Sequence, residues 1–342
     1  MEGERHAFGL AVREGDAMTV TAGVKCFDNV RYIREALESA FRQTYRPLEI
    51  VVCDDCSTDG SWETIREVVE AHRGEPGLRV VAELNERNLG NLGNWERICE
   101  LATGDFVVKF DGDDVSEPDR VSRIVSAVES ARAKGLSPTV VGHGGWMISP
   151  SGRTMGAMYP AARGNVVGAA MAFSRRCFTE FGHATCDPRI VDDELYACRG
   201  MMLGDFVEMN DRLVRYRCGT GVSNAILEVR RPMLRLALDW LAAVEQGERD
   251  LGRMRDASVW RERLADARGQ AEARRDLVGG GTWRVRLSGA RRIRMSGRVW
   301  SFLKFAFVLP RPLGSPLLFV YAVVRYLRRR LSGLCAAKFK SC

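Results

Sequence analysis

Three carboxylates close a short apolar run, where Phe106-Val107-Val108-Lys109-Phe110 leads into Asp111-Gly112-Asp113-Asp114. Acids this close repel one another unless a cation lies between them, and hard cations such as Mg2+ and Mn2+ take oxygen ligands. A second cluster, Asp54-Asp55, closes another apolar run and opens the turn-forming stretch Cys56-Ser57-Thr58-Asp59-Gly60. A third, Asp192-Asp193-Glu194, begins a helical stretch, where the helix dipole by itself favours negative charge. Paired carboxylates can hold a divalent cation or take a proton from an attacking hydroxyl. Each cluster alone is also what a solvated turn or a helix start looks like, so their placement in the fold has to separate the readings.

Apolar and β-branched runs at residues 18–24, 48–53, 78–84 and 106–110 predict four strands. Helical periodicity at 30–44, 61–72, 93–102 and 118–134 predicts helices between and after them, the last with Pro118 near its first turn. Strands alternating with helices at this spacing imply βαβ units and a mostly parallel sheet. The carboxyl ends of parallel strands share one edge, so Asp54-Asp55 and Asp111–Asp114 are expected to face one crevice. After residue 137 the pattern changes. Residues 139–149 read as a glycine-rich strand and 154–159 as its return. The third acid cluster opens a helix to about Leu203, and 206–209 and 213–217 read as short strands. Residues 222–277 read as helical, with a hinge at Gly279-Gly280-Gly281. Taken singly, Asp59 reads as a helix cap, Lys109 as an edge-strand residue and His143 as a turn histidine.

The 342-residue chain carries a net charge of +7, unevenly spread. Residues 281–342 hold fourteen Lys and Arg and no acid, which leaves 37 basic against 44 acidic residues before them. A mildly acidic body with a strongly basic tail predicts that the tail meets an anionic surface. The tail's apolar runs fall short of the ~20 residues that span a bilayer. Basic and aromatic residues around short apolar runs suit a membrane interface. The run 302–309 is too apolar for a phosphate-tracking arm, so no nucleic-acid partner is expected. The ten cysteines are scattered, and Cys53-x-x-Cys56 has no second pair to complete a zinc set. A reduced, cytosolic setting is expected. Residues 1–16 are polar, carry both signs of charge and read as a lead-in without a signal peptide.

Several motifs stand in a fixed order. Phe27-Asp28 follows the first strand, and Ser39-Ala40-Phe41-Arg42-Gln43-Thr44 ends the first helix. The run from Glu49 to Gly60, then Asn88-Leu89-Gly90, then Asp111-Gly112-Asp113 with Asp114 as an extra acid complete the series. With these, residues 18–114 resemble the nucleotide-binding half of the family 2 glycosyltransferases. Further on, Asp192-Asp193 with Arg199 resembles the family's acid pair and arginine, so the resemblance extends over about residues 18–222. Two departures stand out. Tyr216-Arg217-Cys218-Gly219 lacks the His that closes the family's Tyr-Arg-x-His, and the processive Gln-x-x-Arg-Trp signature is absent.

The resemblance implies an α/β fold of GT-A type, a mostly parallel sheet flanked by helices. Here a C-terminal helical extension and a basic amphipathic tail would follow. It implies transfer of a single sugar, with inversion, from a nucleotide-diphosphate sugar donor to a hydroxyl of a glycan or glycolipid acceptor. It places Mg2+ or Mn2+ at Asp113 with Asp111. It makes Asp193 the catalytic base, or Asp192 if the pair is shifted by one. It gives Asp54 or Asp55, Asn88 and Asp111 to nucleotide-sugar binding. The expected division is a lead-in at 1–17, a donor half at 18–145, an acceptor half at 146–222, a helical extension at 223–280 and a membrane-associating tail at 281–342. A peripheral enzyme on the cytoplasmic face of the membrane, working in cell-surface polysaccharide synthesis, is the resulting expectation. A sugar nucleotidyltransferase would need a Gly-rich basic loop after the first strand, and residues 23–28 hold one Lys and no Gly run. A non-catalytic, membrane-bound sugar-binding protein would tolerate the missing His but has no need of the intact acids.

Overall fold

The computed structural model describes residues 5–8, 18–158, 160–161, 167–185, 190–219, 242, 245–254 and 258–278. The chain forms two compact units, Met1–Cys218 and Gly219–Cys342. The tail expected at 281–342, and most of the helical stretch before residue 245, lie outside the described residues.

In the first unit, strands β2 (Val20–Cys26), β3 (Leu48–Asp54), β4 (Leu78–Leu84) and β5 (Phe106–Asp111) run parallel at the centre. Every residue of β2 and β3 is buried, as expected of parallel strands covered on both faces. Strand β1 (Arg5–Phe8) pairs antiparallel with β4 at the edge, so residues 5–8 are a strand within what reads from the sequence as a lead-in.

Helices α1 (Ile33–Phe41), α2 (Ser61–Ala71) and α4 (Arg120–Ala133) bury Ile33, Leu37, Trp62, Ile65, Val121 and Ile124 in one core with Val20, Ala22, Val24, Ile50 and Val108. Each such side chain contributes about 1.5–3 kcal/mol when fully buried. Helix α3 (Gly90–Leu101) covers the opposite face. A Cβ at Gly23 would meet Ile98, Val107 and Trp95, so glycine there lets α3 lie close to the sheet.

Beyond β5 the sheet becomes mixed. Strand β6 (Val115–Ser116), β7 (Pro138–Ile148), β8 (Thr154–Met158), β9 (Met171–Ser174) and β10 (Asp205–Arg217) complete the order β1-β4-β3-β2-β5-β9-β7-β10-β6, with β8 off β7. Strand β9 runs antiparallel to both β5 and β7, so the 3-10 turn Gly168–Ala170 before it returns to the carboxyl edge of β5. Helix α5 (Arg176–Thr179) and helix α6 (Asp192–Leu203) follow. The two short strands expected at 206–209 and 213–217 are one strand, β10, broken by register shifts against β7. Those shifts interrupt the hydrophobic alternation, which is why the sequence reads as two pieces. In the second unit a helix spans Ser258–Val278, and its Arg268 pairs with Glu248. No helix among the described residues is long and apolar enough to cross a membrane.

Candidate active site

Register brings the acid clusters together. In the parallel pairing Cys26 stands opposite Asp54, and Lys25 stands opposite Asp111. The acids that end β3 and β5 therefore flank the end of β2 along one edge. Gly23 stands opposite Lys109. Side chains alternate across a strand. Lys25, Lys109 and Asp111 thus share the face that Gly23 presents to α3.

The first cluster shapes its own loops. Asp54 is fully buried, and its Oδ1 accepts from Ser57 N at 2.7 Å. Its Oδ2 is buried without a hydrogen-bond partner, and burial raises this carboxyl. Asp55 accepts from Asn85 Nδ2 at 2.9 Å, Leu89 N at 2.7 Å and Gly90 N at 2.9 Å. It thereby ties the end of β3 to the start of α3. Asn88 belongs to the same turn, its Oδ1 accepting from Gly90 N at 2.9 Å. Asp59 accepts from Ser61 N at 3.0 Å at the start of α2.

Arg217 grips the loop after β5. Its Nε donates to Asp113 O at 2.7 Å, its Nη1 to Pro150 O at 3.0 Å and its Nη2 to Glu35 Oε2 at 2.7 Å. Its backbone N–H donates to Asp114 Oδ1 at 2.7 Å. Burial pushes the Asp114 carboxyl well above its ordinary value, and the charges of Asp111 and Asp113 push it further.

Asp192 and Asp193 open α6 and meet two lysines. Lys25 Nζ and Lys109 Nζ each lie 2.8 Å from Asp192 Oδ2, and Asn91 Nδ2 donates to Asp192 Oδ1 at 2.6 Å. Lys109 Nζ also donates to Asp193 Oδ1. Lys25 is 3.5 Å and Lys109 4.0 Å from Asp111 Oδ1. The two acids end up unlike. The Asp192 side chain is 1% exposed and that of Asp193 21%. Burial raises Asp192, but Lys109 and Lys25 outweigh it and hold the carboxyl well below the usual range. Burial, then the charge of Asp192, pushes Asp193 up to about 6 against the pull of both lysines. A methyl group placed on Gly168 would run into both carboxylate oxygens of Asp193, so this glycine makes the room the carboxylate occupies.

Two expectations are corrected here. Lys109 is not an edge residue: it lies in a central strand, its side chain 3% exposed, with its charge met by Asp192 and Asp193. His143 is not in a turn but buried in β7, where its Nδ1 donates to Gly144 O at 2.7 Å and its Nε2 accepts from Arg120 Nε at 3.0 Å. Burial, then Arg120, holds its ring far below the usual histidine value, so it is neutral. Lys25 and Asn91 went unread in the sequence. A lysine inside each of two apolar runs was the available signal, because a charge in a buried strand requires a partner.

Asp111 ends β5 and Asp113 lies in the loop just after it, so the two carboxylates offer hard oxygen donors of the kind a divalent cation takes. Among the described residues no group of three or more His, Cys, Asp or Glu forms a metal-holding cluster. Two carboxylates are fewer donors than such an ion takes, so Asp111 and Asp113 fit one only with ligand oxygens and water completing the set.

The family model described as glycosyl transferase family 2 matches residues 21–149. EpsE of Bacillus subtilis is 30% identical over 121 residues, 35% of this chain and 41% of that protein. The glucosyl-dolichyl phosphate glucuronosyltransferase of Haloferax volcanii is 26% identical over 246 residues, 66% of this chain and 73% of that protein. The chain thus spans under half the length of some curated relatives and about three-quarters of this one. Two solved structures share the fold. S. aureus TarS residues 1–349 align with a TM-score of 0.55 at 14% identity, covering 95% of this chain and 92% of that one. The Pyrobaculum calidifontis mannosyltransferase PcManGT, in complex with GDP-Man and Mn2+, aligns at 0.54 and 20% identity, covering 95% and 87%. The curled sheet flanked by helices is a GT-A fold, and residues 21–149, with the acid clusters that end β3 and β5, match the model of glycosyltransferase family 2.

Proposed function

We propose that the chain moves one sugar from a nucleoside diphosphate sugar to a hydroxyl of a glycan acceptor, inverting the anomeric carbon. The observation that carries this reading is the meeting, at one sheet edge, of the Asp111–Asp114 loop with an acid pair of opposite character. Asp192 is buried, ionised and fully engaged, whereas Asp193 is partly exposed and pushed up to about 6. A base poised near the working pH is the arrangement general-base catalysis favours. Asp193 takes the acceptor's hydroxyl proton as the new bond forms at the anomeric carbon. The bond from that carbon to the diphosphate breaks on the opposite face, and its electron pair leaves with the diphosphate.

Asp111 and Asp113 are the residues that would hold Mg2+ or Mn2+, and the ion would supply Lewis-acid stabilisation of the charge gathering on the diphosphate. The Mn2+ and GDP-Man in the PcManGT complex support this. Asp54, Asp55 and Asn88 form the loops on the nucleotide side, with residues 18–145 as the donor half and 146–222 as the acceptor half. The Haloferax relative is named for a dolichyl phosphate substrate, which supports a lipid-linked acceptor. The basic tail at 281–342 supports a peripheral place on the anionic cytoplasmic face of a membrane.

A panel of nucleotide sugars with Mg2+ or Mn2+, read by released nucleoside diphosphate, tests the reading. Turnover of at least one donor is expected, with loss on EDTA treatment and recovery on adding the metal back. Asp193→Asn should lower kcat by about 10²–10⁴-fold with nucleotide affinity kept. A wild-type rate in that variant removes Asp193 as the base.

A further inference from the structure

Lys109 is a charged side chain in the middle of a buried strand, a position that is costly unless fully paired. It joins two carboxylates, donating to Asp193 Oδ1 and lying 2.8 Å from Asp192 Oδ2. Asp192 is itself anchored from the other side. Lys25 Nζ reaches its Oδ2 at 2.8 Å, Asn91 Nδ2 reaches its Oδ1 at 2.6 Å, and Asn91 Oδ1 accepts from Lys25 Nζ at 2.6 Å. The Lys109 ammonium also stands 5.8 Å from the centre of the buried Trp95 ring, which limits where its stem can go. The result is a chain of contacts from α3, through Asp192 and Lys109, to Asp193.

We propose that Lys109 is the positioning residue for the reactive carboxylate: it ties Asp193 to the anchored Asp192, and so sets the direction in which Asp193 Oδ2 meets the acceptor hydroxyl. Lys25 supports it by fixing Asp192. The inference rests on Asp193 being the base.

During transfer the acceptor oxygen bonds to the anomeric carbon, the hydroxyl proton passes to Asp193, and the diphosphate leaves with the electron pair of the broken bond. Lys109 keeps its proton throughout. Its hold on Asp193 weakens as that carboxylate is neutralised, while its contact with Asp192 persists. With a neutral side chain at 109, Asp192 and Asp193 would be adjacent like charges and Asp193 would swing away.

The test compares Lys109→Met, which keeps length without charge, with Lys109→Arg, Lys25→Met and Asp193→Asn in the full chain. Steady-state kinetics use a donor found in the panel, and calorimetry measures UDP and GDP binding. Lys109→Met is expected to lose about 100-fold in kcat, the scale of a 1 Å misplacement, with donor KM and nucleotide affinity kept within about threefold. Lys109→Arg should recover part of that loss, and Lys25→Met should lose about tenfold. A kcat for Lys109→Met within about threefold of wild type overturns the proposal. So does a kcat loss matched by an equal loss of nucleotide affinity, which marks general damage. If Lys109→Met does not fold, Lys25→Met decides, and a wild-type kcat there overturns the proposal. A wild-type rate in Asp193→Asn instead overturns the base assignment, whatever the lysine variants do.

Discussion

Asp192 and Asp193 are neighbours in sequence with identical side chains, yet their surroundings give them opposite properties. The two lysines sit on Asp192, whereas Asp193 shares one of them and keeps some exposure. A carboxylate acts as a base only when deprotonated. Because burial and Asp192 raise Asp193 from 3.8 to about 6, the protonated, inactive fraction grows as pH falls through that value. A kcat/KM profile should be level above about pH 7 and fall about tenfold per unit below 6. A profile flat to pH 4.5 would remove Asp193 as the titrating base. Gly168 gives a second check at this scale. Gly168→Ala puts a methyl group into the space of the Asp193 carboxylate. The overpacking should cost about 1–3 kcal/mol of stability in urea unfolding. The displaced carboxylate should cost about 100-fold in kcat.

Secondary elements position the site through buried polar ties. Arg217, at the end of β10, holds the Asp113 carbonyl and the Asp114 carboxylate, and so fixes the Asp111–Asp114 loop from outside β5. Its side chain is 2% exposed, while its partner Glu35 is 58% exposed and therefore screened. Most of the loss in Arg217→Ala should come from the stranded Asp113 and Pro150 carbonyls. That loss is about 2–3 kcal/mol, read by urea denaturation, with a raised donor KM as the loop loosens. Arg120 plays a similar part inside the fold. Its Nη2 donates to Lys109 O at 2.9 Å and to Ala169 O at 2.8 Å, linking the strand that carries Lys109 to the turn that carries Gly168. Burial lowers this guanidinium to about 10, still charged at neutral pH.

For the whole molecule the question is where the reaction happens. The basic composition of residues 281–342 supports the proposed place on an anionic membrane surface, and its charge is a separable variable. Replacing Arg325, Arg328, Arg329 and Arg330 with Gln in the full chain removes four charges. Each is worth about 1 kcal/mol near an anionic bilayer. Flotation with anionic vesicles should fall sharply, while binding to zwitterionic vesicles stays low throughout. Undiminished flotation of the variant would sink the electrostatic part of the idea.

Much of the architecture was legible in the sequence because its causes are local. Strand and helix periods, and the turn formers and acids after β3 and β5, are written within a few residues of one another. Parallel pairing then follows from their alternation, and a shared edge follows from parallel pairing. The merging of two short runs into β10 escaped because bulges break the period there. The working part of the site is different. Lys109 and Asp193 are 84 positions apart, and Lys25 and Asp192 are 167 apart. Their meeting depends on the register of β2 against β5 and on where α6 begins. No local pattern encodes either. A sequence can show that two aspartates stand side by side. Which of them the lysines hold ionised and which is pushed up toward neutral pH is set by burial and charge in three dimensions.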